Sequence, residues 1–182
     1  MKAFLVGAFA LLFAVSARAE DGYDLWLRYK PVETQYLAAY RAETASLVAA
    51  GASPTLAAAQ DELARGITGL TERKPAVASS VTTDGAVLFG TPSGSNQIAG
   101  LHLPLAGLGG EGYLIRSARV GGHRTIVIAA NSDAGVLYGA FAFLRLMQTR
   151  QTLAGLDIAS APKLEHRVLD HWDNLERTIE RG

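Results

Sequence analysis

The sequence predicts an α+β fold, a small sheet with helices packed on one face. Between residues 85 and 129, three short apolar or β-branched runs are separated by glycine-rich and proline-containing turns. Two helix-opening signals, Ser53-Pro54 and Ser132-Asp133, flank those runs. Strands followed by a strongly apolar helix make a sheet covered on one side.

Asp24 to Val32 (DLWLRYKPV) alternates weakly and carries Leu25, Trp26, Leu27 and Tyr29, so it reads as a first strand ended by Pro31. Trp26 is expected in the core or as a plug between domains. Glu33 to Val48 reads as a loop entering a helical turn, without clean spacing. Serine at the N-cap and proline at the first helical position then open a helix at Ser53-Pro54. Its apolar positions are Leu56, Ala59, Leu63, Ile67 and Leu70, and Pro75 prevents its continuation.

Gly85 to Gly90 (GAVLFG) is a buried strand closed by a turn over Thr91 to Ser95, in which Ser93 and Ser95 serve as turn residues. Glu111 to Arg116 and Arg124 to Ala129 are two further strands, joined by a hairpin loop at Gly121-Gly122-His123. Gly107 to Gly112 (GLGGEG) lacks the strand-then-helix setting of a phosphate-cradling loop and is expected to be a plain loop. Ser132-Asp133 caps the longest helix. Its stripe Leu137, Ala140, Phe141, Leu144 and Met147 is expected to face the sheet, with Tyr138 also in the core.

Ala161-Pro162-Lys163 reads as a linker, followed by a strand over 165–172 (EHRVLDHW) and a charged stretch, 173–182. No helix or cap closes that unit, so 161–182 is expected to open a second domain after an N-terminal α/β domain over 20–160. His166 and His171 fall on opposite faces of such a strand, so no metal is expected there.

The start of the chain has its own pattern. Lys2 is followed by the uncharged run Ala3 to Val15 and by Ser16-Ala17-Arg18-Ala19, the arrangement of a signal peptide over 1–19 cleaved after Ala19. The run is shorter than the roughly 18 residues of a spanning helix, so an exported chain, periplasmic or extracellular, is expected, with no membrane attachment after cleavage. The 182 residues are 49% hydrophobic and balance 17 basic against 17 acidic side chains. That excludes a disordered chain and argues against nucleic-acid binding through a broad basic surface. Without cysteine, thiolate zinc sites, iron–sulfur clusters and cysteine nucleophiles are excluded.

Several words occur in a telling order: DLWLRY at Asp24, YLI at Tyr113, the helix Asn131 to Gln148, then RVLDHWDNL at Arg167 and IERG at Ile179. Together they resemble the N-terminal part of the α-glucuronidases of glycoside hydrolase family 67. The strand–helix words are also similar to the non-catalytic α/β domain preceding the barrel of β-hexosaminidases. The resemblance implies a non-catalytic domain followed by the first strand of an incomplete (β/α)8 barrel. It implies cofactor-free hydrolysis, with inversion, of α-1,2-linked (4-O-methyl)glucuronic acid from xylooligosaccharides of glucuronoxylan.

The family's acid and base lie in the barrel beyond residue 182, so no catalytic residue is assigned, and residues 1–182 alone are expected to be inactive. The partner of this stretch would be the missing barrel, within one polypeptide or from a split gene. The C-terminal ends of barrel strands build the active site. By resemblance Trp172 would stack on a pyranose ring, Glu180 would bond sugar hydroxyls, and Arg181 would meet a carboxylate. The sequence departs from the family pattern at Asp170 and at Glu176-Arg177. The rival reading is a stand-alone secreted module that binds carbohydrate or docks onto another protein. Asp170, Asp173, Glu176 and Glu180 could supply two carboxyls by count, but beside Arg177 and Arg181 they read as a solvated charged segment.

Overall fold

The computed structural model describes residues 25–164 and 166–168. The expected signal peptide and most of the expected barrel strand lie outside them, and His166, Arg167 and Val168 carry no regular secondary structure.

The described chain forms a 3₁₀ turn at Leu25–Arg28, α1 at Thr34–Glu43, β1 at Ser46–Ala50, α2 at Pro54–Thr71, β2 at Ala76–Ala78 and β3 at Ala86–Gly90. There follow a one-turn helix α3 at Asn96–Ala99, β4 at Tyr113–Val120, β5 at His123–Ala130, α4 at Asp133–Gln148 and β6 at Asp157–Ser160. The strands make one six-stranded sheet ordered β2-β1-β3-β5-β4-β6. β2, β1, β3 and β5 are parallel, whereas β4 runs antiparallel to both β5 and β6.

The fold is thus mixed α/β, and its sheet contains three strands that the sequence did not suggest, β1, β2 and β6. The strands expected over 85–90, 111–116 and 124–129 are β3, β4 and β5. A central parallel strand buries both faces, and in β3 Ala86 to Gly90 are all buried, as expected. Leu47, Val87, Phe89, Ile126 and Ile128 point to one core, while Val48, Leu88, Val127 and Ala129 point to the other. The first core carries α1, α2 and α4. The second is covered by the 91–112 segment through Ile98 and Leu105, with Leu101, Leu103 and Leu108 packed against it.

Local chemistry explains the helices. Ser53 Oγ accepts the Leu56 N–H at 3.1 Å, and Pro54 opens α2. Leu56, Ala59, Leu63, Ile67 and Leu70 are all buried, as their spacing predicted. Arg41 in α1 donates through Nε and Nη2 to Thr71 O at 2.9 and 2.6 Å, satisfying a carbonyl at the end of α2. α2 and α4 approach closely because Gly66 lies under the methyl groups of Leu144.

Two expectations need correction here. The strand over 24–32 is a 3₁₀ turn followed by Tyr29 in the left-handed region, with φ 46°. Aromatic content suggested a strand, but Tyr29 turns back to pack on α2, with its hydroxyl donating to Glu62 and the Arg65 guanidinium 5.6 Å from its ring centroid. The stretch 33–48 holds α1 and most of β1 rather than one loop and turn.

The buried line of α4 is Gly135, Val136, Gly139, Ala140, Phe143, Leu144 and Met147. Leu137 and Phe141 are only half-buried, and Tyr138 is exposed. Ala140, Leu144 and Met147 of the expected stripe are buried, but the buried line is centred away from Leu137 and Phe141 because the sheet meets α4 at glycines, which a reading of large apolar side chains ignores. The hairpin expectation holds: Gly121 and Gly122 have φ of 58° and 87°, the paired positive values a two-residue turn needs.

Candidate functional site

The last strand, β6, adds to the sheet edge beside β4, and the chain leaves the sheet there. This exit is organised from the N-terminus of α4. Ser132 Oγ accepts the Gly135 N–H at 3.2 Å as the cap and donates to Gly110 O. Asn131 Nδ2 donates to Leu105 O at 2.9 Å and to Gly109 O at 3.1 Å. Together they pin the 105–112 loop, which has no helix or strand over 107–112, as its glycine content predicted. At the end of that loop Glu111 forms an ion pair with Arg167 of the outgoing chain.

Beside α4 the sheet face over β4 and β6 is open. A groove of about 870 Å³ runs there, with Ile115 on its floor and Tyr113, Ile158, Phe141 and Leu146 among its walls. Arg145 stands at its rim, exposed. Past Tyr113 it meets a second depression formed by Tyr138, Ala161, Pro162, Glu111 and Arg167. No local sequence pattern marks this groove, because its walls come from elements whose adjacency only the sheet order defines.

Six of the described carboxyls are poor candidates for acid–base work. Glu33, Glu43, Glu62, Asp84, Glu111 and Asp157 each face an arginine. Hydrogen bonds from Arg150 hold the Glu33 carboxyl below the usual range. The Arg124 backbone N–H, then its side chain, does the same for Asp84. A glycosidase general acid needs the opposite shift. The strongest upward shift falls on Tyr29, whose burial and hydrogen bond to Glu62 hold its phenol protonated. Among the described residues there is no cluster of three or more histidine, aspartate or glutamate side chains able to hold a metal. The sequence-predicted ligands Trp172, Glu180 and Arg181 lie outside the described residues, as do His171, Asp170, Asp173 and Glu176.

The family description "glycosyl hydrolase family 67 N-terminus" matches residues 25–143, and "glycosyl hydrolase family 67 middle domain" matches residues 146–182. The chain belongs to glycosyl hydrolase family 67. Its relatives in that family include the probable alpha-glucuronidase A of Aspergillus fumigatus, 30% identical over 180 residues, 96% of this chain and 20% of that protein. The probable alpha-glucuronidase A of Aspergillus niger is 32% identical over 181 residues, 95% of this chain and 20% of its own length. Alpha-glucuronidase A of Emericella nidulans is 29% identical over 194 aligned positions, 100% of this chain and 22% of its own length. The family 67 chain therefore spans about a fifth of the length of these relatives. Among solved structures, a family GH115 4-O-methyl-alpha-glucuronidase with specificity for decorated arabinogalactans aligns with a TM-score of 0.46 at 16% identity, covering 56% of this chain and 13% of that one.

Proposed function

We propose that residues 20–160 are the non-catalytic N-terminal domain of an exported α-glucuronidase. The assembled enzyme hydrolyses α-1,2-linked (4-O-methyl)glucuronic acid from xylooligosaccharides of glucuronoxylan. One observation carries the reading: the N-terminal and middle-domain matches follow one another in family order, over 25–143 and then 146–182. The relatives named alpha-glucuronidase align along nearly all of the chain, which supports the same activity. In this reading residues 161–182 are the linker and first barrel strand. Trp172, Glu180 and Arg181 then contribute to sugar binding, and residues 1–19 direct export.

Residues 1–182 alone are proposed to be inactive. Inverting hydrolysis needs two carboxyls roughly 6.5–9.5 Å apart, one of them kept protonated. The arginine-paired, downward-shifted carboxyls Glu33 and Asp84 suit neither role. The test is an assay of aldouronic oligosaccharides with purified residues 20–182 and with the polypeptide at its natural length. Glucuronic acid released only by a polypeptide that extends into the barrel supports the proposal. Release by residues 20–182 overturns the inactivity, and no release by a barrel-containing polypeptide overturns the assigned activity.

A further inference from the structure

The face beside α4 is built to be covered. Its groove is floored by the buried Ile115 and walled by Tyr113, Ile158, Phe141 and Leu146, a largely apolar surface with Arg145, Gln148 and Thr149 along it. The exposed large apolar side chains concentrate at this end. Tyr138 on α4 is 44% exposed, and on the outgoing chain Leu164 is 67% and Val168 89% exposed. Val77, 59% exposed, lies on β2 at the opposite edge of the sheet.

We propose that this groove, continued past Tyr138 to Leu164 and Val168, is the seat of the part of the same polypeptide that follows residue 168. The inference rests on the family 67 reading and names the partner surface within it. Three observations select this occupant over a second copy or a foreign protein. The chain leaves β6 along the rim, because Ile158 lines the groove while Ala161 and Pro162 wall the depression that adjoins it. The Glu111–Arg167 ion pair then fastens the outgoing chain beside that depression. The middle-domain match begins at residue 146, inside α4, so Leu146, Gln148, Thr149 and Ile158 of the groove already belong to it. A segment tethered at the rim meets the groove at a high effective concentration, which any separate partner would lack.

Charge shapes the fit. Arg145 projects at the rim without an ion pair among the described residues, so the seated surface is apolar, with a carboxylate opposite Arg145.

The absence of cysteine makes the test clean. Arg145→Cys, Tyr138→Cys and, as a control on the far edge, Val77→Cys are made in the polypeptide at its natural length. Each thiol is labelled with a benzophenone and irradiated, and crosslinked peptides are mapped. Arg145→Cys and Tyr138→Cys are expected to link to residues beyond 168 of the same molecule, and Val77→Cys is not. Links to a second copy, links confined to residues before 168, or no links from either groove site would overturn the proposal. Thermal melts confirm that the labelled chains are folded, and the Tyr138 site stands in should Arg145→Cys be misfolded. Glucuronic acid release from the same preparations separates the two readings. Activity without these links removes only the seat, and links without activity remove only the α-glucuronidase assignment.

Discussion

Gly139 sets the distance between α4 and the sheet, and replacing it with alanine tests how tight that contact is. A Cβ at this position would lie 2.6 Å from Ile128 Cγ2 and 3.2 and 3.3 Å from Tyr113 Cβ and Cγ. Ordinary carbon–carbon contacts need about 3.5–4.0 Å, so α4 or β5 has to give by roughly an ångström. Alanine in a helix interior gains about 1 kcal/mol over glycine. Overpacking a well-filled core costs about 1–3 kcal/mol. Ile128 is fully buried on a central strand and has little room to yield, so the cost wins. Gly139→Ala is expected to destabilise the fold by up to about 2 kcal/mol, a fall in Tm of up to several degrees.

The control is a double-mutant cycle. Ile128→Ala removes the clashing methyl, and in that background Gly139→Ala should be neutral or stabilising, because the new methyl fills space the isoleucine vacated. Urea denaturation of all four chains followed by circular dichroism measures the coupling. A penalty that persists unchanged in the Ile128→Ala background, or an unchanged Tm for Gly139→Ala alone, would refute the steric account.

The other expectations follow from named bonds. Ser132→Ala removes both the α4 cap and the hydroxyl bond to Gly110 O, and should cost about 1 kcal/mol or somewhat more in a urea titration. Hydrogen exchange should also quicken at residues 105–112. Tyr40→Phe deletes the 2.8 Å bond from the buried Tyr40 hydroxyl to Gln151 O and should lower stability by about 1 kcal/mol, without a cavity. Glu33 and Asp84 have folded-state pKa values below their unfolded ones. Their contribution is therefore complete above about pH 4.5 and fades as pH falls toward the folded values. A Tm-versus-pH profile should drop in that acid range, and Arg150→Met and Arg124→Met should each make the drop shallower.

What was legible in the sequence was what a few neighbouring residues decide. Ser53 and Ser132 announce their helices because a serine cap satisfies a backbone donor two or three residues away. The α2 stripe from Leu56 to Leu70 is visible because one face of an isolated helix is apolar. β1 and β2 escaped because nothing local makes Ser46–Ala50 or Ala76–Ala78 a strand. They are strands because β1 pairs in parallel with both β2 and β3, a contact between segments far apart in the chain. β6, with the sequence Asp-Ile-Ala-Ser, has no pattern at all and is defined by its antiparallel register with Tyr113 to Arg116. The groove beside α4 was invisible for the same reason, since Tyr113, Leu146 and Ile158 are gathered by that pairing.

The edge strand β6 decides where the chain leaves the sheet. From β5 the chain crosses over β4 through α4 and enters β6, which runs parallel to β5 and antiparallel to the β4 strand between them. β6 is the edge strand and its last residue, Ser160, pairs with Tyr113 at the start of β4, so the chain emerges at the rim beside the α4 N-terminus. Two contacts then act there with different weights. The exposed Glu111–Arg167 pair is worth at most about 1 kcal/mol and is screened by salt, so it directs the chain rather than holding it. Fully burying a side chain such as leucine or valine contributes about 1.5–3 kcal/mol. Covering Leu164, Val168 and the walls around Phe141 therefore outweighs the ion pair severalfold. Docking at this edge should be governed by the fit of the apolar groove and vary little with ionic strength.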